Sequence, residues 1–558
     1  MKSTFFIAGV LFTLVYTGCS KKTTEDPPAP PPPANFKLSG WSVDQISTGN
    51  VIYNVSKAPV IKFRCGAPVD RASVASGIHF LESAGTPVSF NAAYENADSV
   101  VVVKPASALS NLNRYRVGVT NSLKSAAGGN ITNATELSFI TSIDSSRKFP
   151  AITDEALLDS VQRRTFKYFW DLAHPGSGMI RERNTDPGIY TSGGTGFGIM
   201  AIVTAIHRGF ITRAQGLERL QNMVAFLKNT AETFHGAYPH WLNGETGKVI
   251  PFSANDNGAD IVETSFLIQG LLVARQYFNG VDIAETNLRS DINTIADRVE
   301  WDWFRKNDEN ALYWHWSSTN ANGWIMNLKI KGWNECLITY VLAASSKTHA
   351  VPKVVYDEGW ASNGGMKNGK NYYGYQLPLG PEMGGPLFFS HYSFLGIDPT
   401  SLTDTYANYS TQTENHTLIN YNYCKTNPGN YFGYSDSVWG LTASDIKDGY
   451  HASSPTSDRG YIAPTAALSS FPYTPGESMQ ALKFYYYVLG DKIWKEYGFV
   501  DAFSLHHLWF ANTYLAIDQG PIIVMIENYR SGLIWDLFTS CPEVKDGMKT
   551  LGFSAGYL

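Results

Sequence analysis

The chain has 558 residues, 44% of them hydrophobic and 17% charged, a globular balance with room for more than one core. A formal charge of −5 and a pI near 6.2 argue against a nucleic-acid partner, which needs a basic face. A mean hydropathy of −0.17, with its one long apolar run at the extreme N-terminus, excludes a polytopic membrane protein. Aromatic residues make up 13% of the chain beside 49 Gly, enough to fill cores and also to line a groove where flat sugar faces stack.

Lys2, an apolar stretch over residues 5–15 and then Thr17, Gly18 and Cys19 have the layout of a secretory signal, expected over 1–18. Cys19 directly after Gly18 resembles a bacterial lipobox and predicts lipidation at Cys19. The alternative is an ordinary cleaved signal with a chance Cys. Residues 19–35 carry six prolines between Pro27 and Pro33, the composition of a semi-rigid extended linker. A lipid-anchored protein on the outer membrane is expected, touching the membrane through that anchor alone. Cys65, Cys336, Cys424 and Cys541 are scattered without CxxC spacing, which predicts neither a disulfide framework nor a metal site.

Residues 36–144 are β-like. Residues 60–64 and 100–104 are β-branched runs, 115–119 and 137–140 alternate with period two, and Gly, Asn, Ser and Pro clusters separate them. The stretch resembles bacterial immunoglobulin-like domains, with Ala67, Pro68, Val69 and Asp70 as the turn after an early strand. From Asp154 the period changes: Leu158, Val161, Phe166, Phe169 and Trp170 lie three and four apart. Helices are expected from near Gly196, Arg213, Ala259, Ala284 and Gly332, and over 404–423, 476–489 and 518–538. This absence of strand–helix alternation predicts an all-α body over 145–558 and excludes a parallel α/β barrel.

Several motifs fail on spacing. Gly194, Gly196 and Gly198 form GxGxG with no strand before them, which predicts a tight turn into a helix and no nucleotide loop. Placing Gly258 at the glycine of a calcium loop leaves Thr264 where a carboxylate is required. His506 and His507 point apart on a helix, and HExxH and GxSxG are absent.

The carboxylates are more informative. With a helix beginning near Asp256, Asp256, Asp260 and Glu263 sit at i, i+4 and i+7, within an arc of roughly 60°. Three acids so close repel when ionised, which raises at least one pKa. Capping alone is the competing explanation, because first-turn acids favour the helix dipole. Glu335 stands at a second loop-to-helix junction beside Trp333, either another cap or the partner acid that inverting glycosidases require.

These motifs are similar to glycoside hydrolase family 144, the glucoamylase-like bacterial β-1,2-glucanases. Residues 193–201, 257–266, 333–336, 385–392, 462–473 and 518–530 carry the resemblance across most of 154–558. It implies an (α/α)6 toroid and inverting hydrolysis of β-1,2-glucan to short oligosaccharides such as sophorose, while the all-β immunoglobulin-like sandwich expected ahead of the toroid lies outside this match. It places the family's important acids on Asp256, Asp260, Glu263 and Glu335. His391, Tyr392, Asp458, Glu527 and Arg530 fall in family-like motifs and are expected, with Trp333, to bind substrate. Glu527 and Arg530 forming a buried ion pair is the structural alternative. No cofactor is expected, and the protein is read as a monomer with an oligosaccharide or polysaccharide substrate. Hydrolysis of another glucan linkage and non-catalytic glycan capture are the competing readings.

Overall fold

The computed structural model describes Gly18 and residues 30–558. Cys19, the rest of the 1–18 segment and the linker up to residue 29 lie outside the described residues. The chain divides into two compact units, one ending at Ser142 and one running Ile143–Leu558.

In the first unit the strands are β1 (Leu38–Val43), β2 (Val51–Val55), β3 (Ile61–Cys65), β4 (Ile78–Glu82), β5 (Phe90–Glu95), β6 (Val100–Pro105), β7 (Arg114–Val119) and β8 (Thr135–Thr141). They form two four-stranded sheets, ordered β1-β3-β6-β5 and β2-β8-β7-β4. All described pairs are antiparallel except β2 with β8. Alternation places Ile61, Phe63, Val101 and Val103 of one sheet and Phe80, Tyr115, Val117 and Phe139 of the other in a common core, as a sandwich requires. The turn at 67–70 ends with Asp70 accepting a bond from the Ala72 N–H.

The second unit is helical. Its main helices are α1 (Asp154–Asp171), α2 (Ser192–His207), α3 (Arg213–Asn229), α4 (Ile261–Tyr277), α5 (Ile283–Asp297), α6 (Leu337–Ser345), α7 (Tyr409–Thr426), α8 (Pro464–Leu468), α9 (Pro475–Tyr487), α10 (Ala516–Ser531), α11 (Leu533–Thr539) and α12 (Pro542–Leu551). The stretch expected over 518–538 breaks at Gly532, whose φ of +73° favours a residue without Cβ.

Sequence hydrophobicity sorts these helices into two layers. α2 is buried from Ser192 to Ala205 and α4 from Ile261 to Arg275, the mark of core helices. α1, α3 and α5 keep polar faces outward. The inner ring runs from α2 to α4 to α6, through the 3-10 turns Leu387–Ser390 and Ser393–Leu395, to α8, to α10 and back to α2. One of its six members is thus a pair of 3-10 turns in place of a regular α-helix.

The glycine-rich stretch expected to be a turn lies inside α2. Its role is close approach: a Cβ on Gly196 would meet the Phe266 carbonyl oxygen at 2.1 Å, and one on Gly270 would meet the Gly196 carbonyl oxygen at 2.1 Å. α2 and α4 therefore pack backbone to backbone.

Candidate active site

The helix expected to start near Asp256 begins at Ile261, with Asp260 as its N-cap. Asp256 precedes it in a loop, so the three acids do not share a helical face. Tertiary structure nevertheless gathers them. Asn257 holds the loop by donating to the Ala254 carbonyl at 2.8 Å and accepting from the Ser317 hydroxyl at 2.8 Å. A two-residue strand then pairs Asp260 with His315.

Asp260 divides its carboxylate. Oδ1 caps α4, accepting from the Val262 and Glu263 N–H groups at 3.0 Å. Oδ2 faces His240 Nδ1 at 3.3 Å and His315 Nε2 at 3.6 Å. Asp256 Oδ2 lies 3.8 Å from His240 and 3.5 Å from His315. Glu263, one turn into α4, accepts from the Gly193 N–H at 2.9 Å and the Thr191 hydroxyl at 3.3 Å, and its other oxygen lies 3.9 Å from His240 Nε2.

His240 is the central cation. Burial depresses its pKa, but Glu263, Asp260 and Asp256 outweigh that and raise it to about 9. Burial, with the Asp260 charge, pushes Asp256 up to about 7. Burial also raises Glu263, against the pull of His240. For Asp260 the two histidines and the capping N–H overcome burial, and its pKa falls. His240, Asp256 and Asp260 each bring a ligand atom within 4.8 Å of the others, a donor set that a cation could use. An imidazolium at His240 satisfies the same carboxylates without one.

Glu335 enters from the turn before α6. It is no cap: Cys336 holds that position and no side chain caps the helix. The Glu335 carbonyl accepts from the Ser393 hydroxyl, fixing the turn against the inner ring. Burial, then repulsion from Glu263 and Asp260, raises the Glu335 carboxyl to about 7, and no cation offsets it.

Glu263 and Glu335 line one cavity of about 440 Å³, the scale of a small-molecule site. Tyr392, His240, Trp241, Phe252, Trp314 and Tyr450 form much of its wall. Phe252 is 50% exposed and stacks on His240 at 4.4 Å. Tyr392 stacks on Phe388 at 5.1 Å.

Other expected substrate contacts are placed elsewhere. Trp333 is 4% exposed and packs among Phe394, Tyr409 and Trp360, so its ring is core. His391 is buried against Ser470 at 3.0 Å, and burial lowers its pKa to about 3. Asp458 organises a turn through the Gly460 N–H and Tyr434 hydroxyl. Glu527 and Arg530 do not pair with each other. Glu527 is clamped by Arg208 at 2.6 and 2.8 Å, while Arg530 reaches Gln162 and Glu155. Both tie α10 to neighbouring helices.

Sequence reasoning missed His240, Trp241, Phe252 and Tyr450, and also the acids Glu182, Asp445, Asp501 and Asp518 around Arg183. Burial, with the Asp445 charge, raises Asp501 to about 7, while burial and the neighbouring Asp501 carry Asp518 well above its usual range. No local pattern marks these acids, because residues 182, 445, 501 and 518 meet only in the folded chain. The PHW run at 239–241, with two rings around a cavity-facing histidine, was the one available signal.

Comparison with known proteins agrees with this architecture. The Big_5 bacterial Ig-like domain matches residues 41–141 and the Glycoamylase family residues 327–542. An exo β-1,2-glucooligosaccharide sophorohydrolase (non-reducing end) of Parabacteroides distasonis is 46% identical over 424 residues, 72% of this chain and 58% of that protein. The chain thus spans little more than half the length of that curated relative. An endo-β-1,2-glucanase from Chitinophaga pinensis, solved with sophorotriose and glucose, is 52% identical with a TM-score of 0.71, over 73% of this chain and 100% of that one. A β-1,2-glucanase structure from Parabacteroides distasonis is 36% identical with a TM-score of 0.70, over 94% of this chain and 74% of that one. Similarity across the full length of the Chitinophaga structure places the chain in the same family: it belongs to glycoside hydrolase family 144, with a bacterial immunoglobulin-like domain ahead of the helical body.

Proposed function

We propose that the protein is an inverting hydrolase of β-1,2-linked glucan, releasing short oligosaccharides such as sophorose. The observation that carries this is one cavity lined by two glutamates, Glu263 from the first turn of α4 and Glu335 from the turn before α6, of which Glu263 alone has a cation, His240, acting on it. Glu335, raised to about 7 without a cationic partner, holds a proton near neutrality and is the general acid. Glu263, facing the His240 imidazolium and the Gly193 N–H, is the carboxylate that activates water. Glu335 gives its proton to the glycosidic oxygen as that bond to the anomeric carbon breaks. Water attacks the same carbon from the opposite face and passes a proton to Glu263. Exchange with solvent restores both groups. The names of the relatives, all β-1,2-glucan enzymes, support the linkage.

Assay of linear β-1,2-glucan with NMR of the first-formed anomer tests this. The α-anomer is expected, and Glu335→Gln should lower turnover by at least ~10²-fold. A β-anomer would overturn inversion, and a wild type active only on another glucan would overturn the linkage. We also propose that the protein is a lipoprotein with a cleaved signal, held on the outer membrane through Cys19. Its support is the lipobox-like Thr17-Gly18-Cys19 and the proline linker. Cys19→Ala should move the protein from membrane to soluble fractions, and a variant that still takes up fatty acid refutes the anchor.

A further inference from the structure

A second hollow, of about 470 Å³, adjoins the catalytic cavity, and both are lined by Tyr450 and Arg183. We propose that this hollow is an outer glucosyl-binding subsite, which a chain leaving the cavity enters across Tyr450. The proposal rests on the glucan reading of the cavity.

The divider between the hollows is a hairpin of strands Ala443–Ile446 and Gly449–Ala452. Its first strand is buried and anchored. The Asp445 N–H donates to Asp501 at 2.6 Å, and the Asp445 carboxylate accepts from the Thr513 hydroxyl at 2.5 Å and faces Arg183 at 3.3 Å. Its second strand stands outward. Tyr450, directly opposite Asp445, is 50% exposed, a ring on a rigid base with a free surface. Ala443 and Ala452 turn small side chains to the inner cavity, whereas Asp445, Ile446 and Gly449 border the outer hollow.

The outer hollow has the chemistry of a neutral sugar site. Trp509 is half-buried, braced edge-on by Tyr461 at 5.5 Å, and supplies an aromatic platform. Asn512 and Thr513 bring polar groups beside it. The one cation, Arg183, is already matched by Glu182 at 2.8 Å and by Asp445. The lining thus offers no unmatched cation to an anionic ring, whereas an uncharged polyhydroxyl ring needs none.

The test is kcat/KM for linear β-1,2-gluco-oligosaccharides from trisaccharide to decasaccharide. For the wild type it should rise with length and level off once the outer hollow is filled. Trp509→Ala should lower the ratio of long-chain to short-chain kcat/KM about tenfold, the scale of one aromatic contact, and Trp509→Phe should restore most of it. Asn512→Ala, at an exposed position, carries the same readout should Trp509→Ala fail to fold. Variants with unchanged length dependence, or with equal losses at every length, would overturn the subsite while leaving the catalytic reading intact. A wild type silent on the whole series would overturn the catalytic reading, and the subsite with it.

Discussion

Glu335 and Glu263 differ in what surrounds them more than in what they are. Both are withdrawn from water and both accept from a backbone N–H, yet Glu263 has the His240 imidazolium beside it while the charges acting on Glu335 are the like charges of Glu263 and Asp260. Their environments therefore separate an acid from a base, as paired catalytic carboxyls require. The consequence is a bell-shaped pH profile. The alkaline limb should follow Glu335 losing its proton, near its pKa of about 7, and the acid limb should follow protonation of Glu263. On an aryl sophoroside, whose leaving group needs no acid, Glu335→Gln should keep measurable turnover and lose the alkaline limb. Stability carries the same sign. Glu335 has a folded pKa above its unfolded value, so the stability tied to its neutral form is full below the unfolded pKa and is lost as pH rises through about 7. Glu335→Gln should therefore leave Tm nearly unchanged below the unfolded glutamate pKa, raise it increasingly as pH climbs towards about 7, and raise it by a constant amount above that. An alkaline limb retained in the variant would assign the titration to another group.

At the scale of elements, α2 and α4 together make the site. Glycines in α2 let α4 approach to backbone contact, and the same closeness hands Glu263 its Gly193 N–H. A Cβ at Gly193 would come within 2.4 Å of Glu263 Oε2. Gly193→Ala has an intrinsic helix advantage of about 1 kcal/mol, against an overpacking cost of about 1–3 kcal/mol, so a small net destabilisation is expected. Displacing Glu263 should cost more in rate than in stability, since a misplacement of about 1 Å can lower turnover ~10²-fold. Kinetics and melting of Gly193→Ala read both quantities. Wild-type turnover in a folded variant would show that the N–H contact does not position Glu263. By contrast, the clamp of Glu527 by Arg208 lies at the other end of α2, where the ion pair serves helix packing.

For the molecule as a whole, the two units obey different packing rules in one chain. The β unit builds its core from strand alternation. The helical unit has inner helices that are apolar on all sides and outer helices that are polar on one, so a closed double ring is the arrangement that buries both. Closure brings the loops after several inner and outer helices together at one place. There His240, from the loop before Trp241, meets Asp256, Asp260 and Glu263 from the entrance to α4, and Glu335 arrives from the entrance to α6. The hairpin carrying Tyr450 comes from more than a hundred residues further on.

The sequence by itself determined the change from β to helical periodicity, the position of α3 from Arg213 and the acids at the entrances of α4 and α6. These are local properties, written in alternation, helical spacing and loop-to-helix junctions. It also made the immunoglobulin-like unit legible, because alternating strands and turn residues leave few other ways to bury one face. Only the tertiary structure decided that Asp256 lies in a loop and Asp260 is a cap, that Trp333 is core, and that Glu527 and Arg530 serve neighbouring helices. It also decided that His240 stands among the carboxylates. These outcomes depend on burial and on encounters between residues far apart in the chain, and the raised carboxyl of Glu335 exists only because closing the ring removes it from water.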